Sequence, residues 1–280
     1  MRYGLLGYRI SYTLSPVIHN TLYRLLNINA VYEVIDVEPE KLTDVVDYLR
    51  NINGFNITIP HKVSFIKYLD LIDKTVEITG SVNTVKVVNG KFIGYNTDVN
   101  GIINSLISSK INKLSEDDIA LILGAGGAAR AAIYALYIMG VRNFVIVNRS
   151  RERALETITY LSRSLSNVNF KYVEWSLRND AANKSDIIVN CTPVGTCSNE
   201  SPLDKSNLSS NHLVIDLVYR PRVTKLLSYA IQAGAKVVDG LKILIYQALE
   251  AEKIWLNIDV VQRKYFEKIE EMLISHDLEC

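Results

Sequence analysis

The sequence predicts an α/β protein of two domains, the second of which is a doubly wound parallel sheet. Three observations lead to this prediction. The chain has 280 residues, which exceeds the usual size of one domain. Short apolar segments of strand character alternate with helix-like segments along most of it, an order typical of parallel sheets covered by helices. A glycine-rich turn, GAGGAA, joins one such strand to one such helix near the middle of the chain.

The N-terminal part of the chain predicts a parallel sheet followed by a hairpin. Ser15 and Pro16 form a good N-cap and first-position pair for a helix, and Pro39 opens another helix in the same way. Asn89 and Gly90 are typical of the two-residue turn of a hairpin. The predicted elements are strand Tyr3–Gly7, helix Pro16–Leu26, strand Val31–Val37, helix Pro39–Arg50, strand Gly54–Ile59, helix Lys62–Leu69, hairpin strands Val85–Val88 and Lys91–Gly94, and helix Val99–Ser109.

A polar connector, Ser108–Asp118, leads into the predicted doubly wound sheet. Its strands and helices alternate until Gly240, after which two long helical patterns follow with no strand between them. The predicted elements are strand Ile119–Leu123, helix Ala128–Met139, strand Phe144–Val147, helix Arg151–Leu165, strands Phe170–Trp175, Asp186–Asn190 and Leu213–Val218, helix Thr224–Ala233, strand Lys236–Val238, and helices Leu241–Leu256 and Val260–Ile274.

Composition and charge exclude several classes of protein. With 48% hydrophobic and 22% charged residues and a formal net charge of +1, the chain offers no basic surface for nucleic acid. Met1–Ile10 lacks the apolar core of a secretory signal. Ile119–Met139 approaches the length of a membrane span, but its glycines and Arg130 favour a strand followed by a helix. We therefore expect a cytoplasmic protein with neither a nucleic-acid nor a membrane partner.

The cysteines and histidines predict no metal site. Cys191, Cys197 and Cys280 are odd in number and lack the paired spacing of zinc ligands, so they indicate neither a disulfide framework nor a zinc site. The 4 histidines show no spacing that would converge on one ion. A reducing compartment fits this pattern.

The glycine-rich turn predicts a dinucleotide site. Gly124, Gly126 and Ala129 have the GxGxxA spacing directly after an apolar strand. The first glycine permits the tight turn, the second lets the backbone approach a pyrophosphate, and the small Ala129 lets the helix pack on the strand. Similar turns also occur in flavin and methyl-donor sites and in plain strand-to-helix connections. The residues predicted to contact the pyrophosphate are Gly124, Ala125, Gly126, Gly127 and Ala128.

The residues that end the next strand indicate which dinucleotide is bound. Strand Phe144–Val147 is followed by Asn148, Arg149 and Ser150. NAD sites usually place Asp or Glu here to bind the ribose hydroxyls, and a carboxylate would repel a 2′-phosphate. A guanidinium matches phosphate geometry. The sequence therefore predicts NADP, with Arg149 and Arg153 on the 2′-phosphate and Ser150 as a further hydroxyl donor.

Polar side chains cluster in the segments that follow strands of the N-terminal part. They are Thr13, Ser15, Asn56, Thr58, Lys62, Asn83, Asn96, Thr97 and Asp98. Singly, each has an ordinary structural explanation as a helix cap, a turn residue or a solvated charge. In open α/β sheets, however, ligands bind beyond the carboxyl ends of the strands. A site rich in hydroxyl and amide groups, with one lysine and one aspartate, suits a small polyhydroxylated acid.

A series of motifs extends over nearly the whole chain. They are TLSPVIHN from Thr13, GFNITIPHK from Gly54, GSVNTV from Gly80, GYNTD from Gly94, GAGGAAR from Gly124, NRS from Asn148, NCTPVGT from Asn190, DLVYRP from Asp216 and GLKILIYQA from Gly240. In this order they resemble the motifs of the shikimate dehydrogenase family. The resemblance implies a substrate domain of residues 1–101, completed by C-terminal helices in residues 240–280, and a Rossmann NADP domain of residues 102–239.

The resemblance also implies a reaction and a role for the clustered residues. The reaction is reversible hydride transfer between NADPH and the ring ketone of 3-dehydroshikimate, which gives shikimate. Lys62 and Asp98 are implied as the catalytic pair, and Thr13 and Ser15 as the ligands of the substrate carboxylate. The other implied contacts are Asn56, Thr58, Asn83 and Gln247 to ring hydroxyls, Thr192 and Tyr219 along the nicotinamide side, and Asn148 and Gly240 to the cofactor.

One position departs from the family pattern. Thr13 stands where the family usually has serine, and it adds a methyl group near the expected carboxylate pocket. A quinate/shikimate dehydrogenase of dual specificity is therefore an alternative, although Arg149 argues against the NAD that quinate enzymes often prefer. A ligand-binding sensor without chemistry is a second alternative, which the intact Lys62 and Asp98 disfavour. The chain is compatible with a monomer or a homodimer.

Overall fold

The structure, a computed structural model, describes residues 1–11 and 13–275. Within the described residues the chain divides into two compact units, one made of Met1–Gly101 with residues 245–275, the other of Ile102–Leu244. Each unit contains its own six-stranded sheet, and helices alternate with the strands of both. The predicted α/β fold class is confirmed.

The N-terminal segment forms a mixed sheet, in which the predicted parallel strands and the predicted hairpin are joined. Its elements are β1 (Arg2–Gly7), α1 (Ser15–Leu25), β2 (Val31–Asp36), α2 (Val46–Leu49), β3 (Gly54–Ile57), α3 (His61–Ser64), β4 (Leu71–Ile72), α4 (Lys74–Thr79), β5 (Thr84–Val88), β6 (Lys91–Tyr95) and α5 (Thr97–Ser108). The strand order is β2-β1-β3-β5-β6-β4. The three strands β1, β2 and β3 are parallel, whereas β5 runs antiparallel to both β3 and β6.

Two helices of this segment are tighter than the sequence predicts. Pro39–Val45 forms 3₁₀ turns before the four-residue α2, and α3 continues into 3₁₀ turns over Phe65–Tyr68. Such short turns keep only local hydrogen bonds and are common as connectors between strands. The hairpin turn is confirmed, because Asn89 and Gly90 both have positive φ angles, 52° and 71°, as its type requires.

The Ile102–Leu244 unit is a fully parallel, doubly wound sheet. Its elements are β7 (Ile119–Leu123), α6 (Gly127–Met139), β8 (Asn143–Asn148), α7 (Arg151–Ser162), β9 (Asn169–Glu174), α8 (Arg178–Ala182), β10 (Ile187–Asn190), β11 (Leu213–Asp216), α9 (Lys225–Gln232) and β12 (Lys236–Val238). The order β9-β8-β7-β10-β11-β12 is the 3-2-1-4-5-6 order of dinucleotide-binding folds. The chain reverses its direction of winding between β7 and β10, where such folds bind their ligand.

Strand pairing brings several predicted cofactor residues together at the carboxyl ends of the strands of this sheet. Leu123 at the end of β7 pairs with Asn190 at the end of β10, and Asn190 pairs with Asp216 at the end of β11. On the other side, Leu123 pairs with Val147 in β8. The glycine turn, Asn148 and the segment after Asn190 therefore follow neighbouring carboxyl ends.

Two helices complete the described chain, α10 (Gly240–Leu256) and α11 (Arg263–Ser275). The indole of Trp255 in α10 donates a hydrogen bond to the Val85 carbonyl of β5 at 2.9 Å. On the same helix, Glu252 Oε1 lies 2.6 Å from Nδ1 of His19 in α1, and both side chains are fully buried. These contacts hold the C-terminal half of α10 against the first sheet and α1.

Of the cysteines, Cys191 is a free thiol, and Cys280 lies outside the described residues. As to membranes, none of the helices within residues 1–11 and 13–275 has the length and apolar character that crossing a bilayer requires.

Candidate active site

A lysine and an aspartate from separate elements form a close pair in the first unit. Lys62 lies on α3 after strand β3, and Asp98 lies in the first turn of α5. Lys62 Nζ donates a hydrogen bond to Asp98 Oδ2 at 2.5 Å. The side chains are 16% and 14% exposed, so the pair is shielded from bulk water but not sealed from it. An ammonium group held in this way can give a proton to a bound oxygen.

Amide groups hold the other side of the aspartate. Asn83 Nδ2 donates to Asp98 Oδ1 at 2.8 Å, and Asn83 Oδ1 accepts from the Thr97 backbone N–H at 2.7 Å. Gln247 Oε1 on α10 lies 3.3 Å from the same Asn83 Nδ2. The network explains why a glutamine interrupts the apolar sequence of α10, because its side chain is directed into a buried polar cluster.

Asn56 has most of its hydrogen-bonding capacity committed within the protein. Its Oδ1 accepts from the Tyr32 hydroxyl at 2.7 Å, and its Nδ2 donates to the Asn83 carbonyl at 3.1 Å and to Thr84 Oγ1 at 2.9 Å. Both amide hydrogens are therefore used, and one lone pair of Oδ1 is left. Asn56 can accept a hydrogen bond from a substrate hydroxyl more readily than it can donate one.

Thr13 and Ser15 form a pair of adjacent hydroxyls at the start of α1. Thr13 Oγ1 donates to Ser15 Oγ at 3.2 Å and accepts from the Ser15 backbone N–H at 3.3 Å. Ser15 is the first residue of the helix and not its N-cap, which is Leu14 and makes no side-chain cap bond, so the predicted capping role of Ser15 is wrong. The first turn of α1 carries no acidic residue, which suits it to an anion such as a carboxylate.

The structure thus links most of the predicted substrate residues, in two groups. One hydrogen-bonded group contains Lys62, Asp98, Asn83, Gln247 and Asn56, and the other contains Thr13 and Ser15. Thr58 contributes its backbone N–H to the Leu6 carbonyl at 2.9 Å, and its side chain is half-buried. Tyr32 and Thr84 also belong to this cluster and were not predicted from the sequence. Thr84 directly follows Asn83 in the GSVNTV motif and could have been found there, whereas nothing in the sequence marks Tyr32.

The glycine turn has the geometry expected of a phosphate-binding turn. Gly124 follows β7 with φ of +109°, a conformation that side chains rarely adopt. Gly126 is the N-cap of α6, is exposed, and would have nothing within 4 Å of an added Cβ. The first turn of α6 contains no acidic residue. The free N–H groups of this helix end therefore face no competing carboxylate from its own first turn.

The basic residues after β8 are exposed. Asn148 Nδ2 donates to the Ser150 carbonyl at 2.8 Å, which closes the turn between β8 and α7. Ser150 caps α7, because its Oγ accepts from the Arg153 N–H at 3.2 Å and donates to Glu152 Oε2 at 2.9 Å. The proton of the Ser150 hydroxyl is thus already used. Within the described part of the chain, the guanidinium groups of Arg149 and Arg153 have no hydrogen-bond or ion-pair partner.

Three more predicted residues follow the strands of the second unit. Thr192 Oγ1 donates to Asn190 Oδ1 at 2.7 Å, and Tyr219 lies half-buried after β11. At Gly240 an added Cβ would lie 2.4 Å from the Val218 carbonyl oxygen. This close approach of two backbone segments is a sufficient reason for a glycine at that position.

Asp216, at the end of β11, is a buried carboxylate in the second unit. It accepts hydrogen bonds from Thr224 Oγ1 at 2.6 Å, Asn190 Nδ2 at 2.9 Å and the Val218 N–H at 3.0 Å. Burial raises its pKa from 3.8 to about 6, and the three donors only partly oppose that shift. Asp216 thus joins the segments after β10 and β11, at the cost of burying a carboxylate.

We expect the Asp216→Asn variant to become more stable relative to the wild type as the pH rises. Because the pKa of Asp216 is raised in the folded state, its protonation stabilises the fold. This contribution is fully present at pH values below the unfolded-state pKa of 3.8 and is lost as the pH rises through about 6. The difference in free energy of unfolding between wild type and variant should change by about 2–3 kcal/mol between pH 4 and pH 7. Urea unfolding across this range measures it, and a constant difference would refute the raised pKa.

No metal site is found among the residues that the structure describes: no group of three or more His, Cys, Asp or Glu side chains is arranged to hold an ion. The second unit has the strand order and the glycine turn of a dinucleotide-binding fold, and the first unit has a lysine–aspartate pair suited to proton transfer. Together these features define an oxidoreductase that uses a nicotinamide dinucleotide.

Two family models match the chain. The model of the shikimate dehydrogenase substrate binding domain covers residues 5–85, and that of shikimate / quinate 5-dehydrogenase covers residues 105–242. The chain belongs to the shikimate dehydrogenase family, which confirms the resemblance carried by its motifs.

Individual relatives match over nearly their full length. A protein of Ignicoccus hospitalis named shikimate dehydrogenase (NADP(+)) is 36% identical over 96% of this chain and 98% of its own. A shikimate dehydrogenase solved in complex with NADP+ is similar with a TM-score of 0.87 at 36% identity, covering 98% of this chain and 95% of that one. The enzyme of Thermus thermophilus, solved with NADP(H) and shikimate, has a TM-score of 0.84 at 30% identity and covers 97% and 98%.

Proposed function

We propose that this protein catalyses the reversible NADPH-dependent reduction of 3-dehydroshikimate to shikimate. The observation that carries the proposal is the hydrogen-bonded network of Lys62, Asp98, Asn83 and Gln247 in a member of this family. In this proposal residues 1–101 and the helices of residues 240–280 hold the substrate, and residues 102–239 hold the cofactor. The partners are small molecules, the protein is a monomer or a homodimer, and its location is the cytoplasm.

The residues present suit NADP. The N–H groups of Gly126, Gly127 and Ala128 would hold the diphosphate, with Gly124 and Ala125 shaping the turn. The exposed guanidinium groups of Arg149 and Arg153 would hold the 2′-phosphate beside Asn148 and the capped Ser150. When bound, the reduced cofactor supplies the hydride that the ring carbon receives. Thr192, Tyr219 and Gly240 belong to the same half of the site.

Lys62 provides the proton in the direction of reduction. As the ketone carbon gains a hydride, its oxygen gains negative charge, and Lys62 Nζ transfers a proton to that oxygen to give the hydroxyl group. In the direction of oxidation, the amine takes the proton back. Asp98 holds the amine at 2.5 Å and accepts from Asn83 at 2.8 Å, so it fixes the donor without itself having to transfer a proton.

The remaining polar groups orient the substrate. Asn83 lies beside Asp98 and Gln247 lies beside Asn83, and both would bind ring hydroxyls, while the free lone pair of Asn56 Oδ1 accepts from another. Thr58 adds a hydroxyl from the segment after β3. Thr13 and Ser15 hold the carboxylate at the start of α1, where the helix end favours an anion. Every oxygen of a polyhydroxylated acid would thus meet a partner.

The first test is turnover by purified protein, followed by the absorbance of the reduced cofactor. We expect NADP+ to be reduced with shikimate, with quinate and NAD+ as the paired controls, because the exposed arginines favour a 2′-phosphate. Faster turnover with quinate, or with NAD+, would contradict the substrate or the cofactor assignment. Tight binding of shikimate with no turnover would instead identify a sensor that has kept the fold.

A further inference from the structure

A buried threonine on α7 is hydrogen-bonded to the backbone of the glycine turn. Thr157 Oγ1 donates a hydrogen bond to the backbone carbonyl of Ala125 at 3.0 Å. Thr157 is fully buried, and Ala125 is 9% exposed. A threonine within a helix can bond the carbonyl four residues before it in the same helix. Here the hydroxyl instead reaches a residue 32 positions earlier, in the turn between β7 and α6.

An arginine fixes the orientation of this hydroxyl. Arg130 Nε, on α6, donates to Thr157 Oγ1 at 3.3 Å, and its guanidinium carbon lies 5.0 Å from the centre of the Tyr160 ring on α7. Since Thr157 Oγ1 accepts from Arg130, its own proton is directed to the Ala125 oxygen. One hydroxyl therefore joins α6, α7 and the phosphate-binding turn.

Because the peptide unit is rigid, this contact also fixes the direction of an N–H group. The peptide bond between Ala125 and Gly126 is trans, so its carbonyl and its N–H point in opposite directions. Because Thr157 draws the Ala125 oxygen toward α7, the Gly126 N–H points away from α7. Gly126 is exposed, with open space above its Cα. The N–H is thus set in place before any phosphate arrives.

We propose that Thr157 is a positioning residue for the dinucleotide diphosphate, which acts by fixing the peptide unit between Ala125 and Gly126. The inference rests on the proposed binding of NADP in this unit. It differs from the role of Arg149 and Arg153 because the diphosphate is common to NADP and NAD, whereas the 2′-phosphate is not. Thr157 therefore contributes affinity for both cofactors and no selectivity between them.

The Thr157→Val variant tests the proposal, because valine keeps the shape and removes the hydroxyl. We expect the Kd values of NADP+ and NAD+ to rise by the same factor of about ten, equivalent to about 1.4 kcal/mol. The Kd of 2′-AMP, which has the 2′-phosphate but no diphosphate, should not change. Thr157→Ser should restore both dinucleotide affinities, since it keeps the hydroxyl. The control is Thr159→Val, which removes an exposed hydroxyl from the same helix.

Three results would overturn the proposal. They are unchanged dinucleotide affinity in Thr157→Val, a loss confined to NADP+, and a loss that Thr157→Ser fails to restore. Melting temperatures measured alongside separate a loss of affinity from a loss of folded protein. If the wild-type protein binds neither NADP+ nor NAD+, the proposed function itself has failed. That result is distinct from the one expected here, in which the wild type binds both dinucleotides and the Thr157→Val variant binds them more weakly.

Discussion

The Lys62→Ala variant is expected to lose about 100- to 10,000-fold in kcat, the range that general acid–base groups contribute. Lys62 Nζ is the proton donor closest to Asp98, at 2.5 Å, and alanine leaves the developing oxyanion with water as its proton source. The KM for shikimate should rise much less, because Asn83, Gln247 and the hydroxyls of α1 are retained. A loss in kcat with little change in KM indicates a group that acts mainly in the transition state.

The matched control is Lys67→Ala, which removes an exposed lysine from the turn that follows α3. Turnover of that variant should equal that of the wild type. Steady-state kinetics in the direction of shikimate oxidation provide the comparison, and the melting temperature of each variant shows whether it is folded. Turnover of Lys62→Ala close to the wild-type value would remove Lys62 from the mechanism.

The cofactor half of the fold could be predicted because its signals are local. Gly124 and Gly126 lie in the turn after β7, Ala129 lies in the first turn of α6, and Arg149 directly follows the next strand, so the sequence itself presents them in their structural order. Strand direction in the first sheet could not be read in this way. Whether β5 runs parallel or antiparallel to β3 depends on pairing between Phe55 and Val85, which are far apart in the chain.

The polar cluster proposed as the substrate site was predictable in its residue types but not in its hydrogen bonds. Lys62, Asn83 and Asp98 stand out because polar groups after strands are typical of ligand sites. The hydrogen bonds that Asn56 can still offer a ligand depend on Tyr32, 24 residues away. The pairing of β1 with β2 and β3 places the Tyr32 hydroxyl 2.7 Å from Asn56 Oδ1. Burial decides that such an amide must be satisfied within the protein, and burial follows from the fold rather than from local sequence.

The Arg149→Ala variant is expected to weaken NADP+ binding by about 10- to 100-fold, the value of a hydrogen bond to a charged group. NAD+ affinity should change less than about twofold, since the 2′-hydroxyl carries no charge for a guanidinium to neutralise. The Arg149 side chain is exposed and has no partner within the described residues, so its removal breaks no contact of the fold. The selectivity for NADP+ over NAD+ should therefore fall by nearly the same factor as the affinity for NADP+.

Arg151→Ala is the matched control, because Arg151 is also exposed and begins the same helix, α7. Titration of each variant with both cofactors measures the effect, and the affinity for NADP+ should become less dependent on salt in Arg149→Ala as one ionic contact is lost. A twofold loss in Arg151→Ala would still leave Arg149 as the main phosphate ligand. Equal losses of NADP+ and NAD+ in Arg149→Ala would contradict the phosphate assignment and would show that Arg149 acts on a part common to both cofactors.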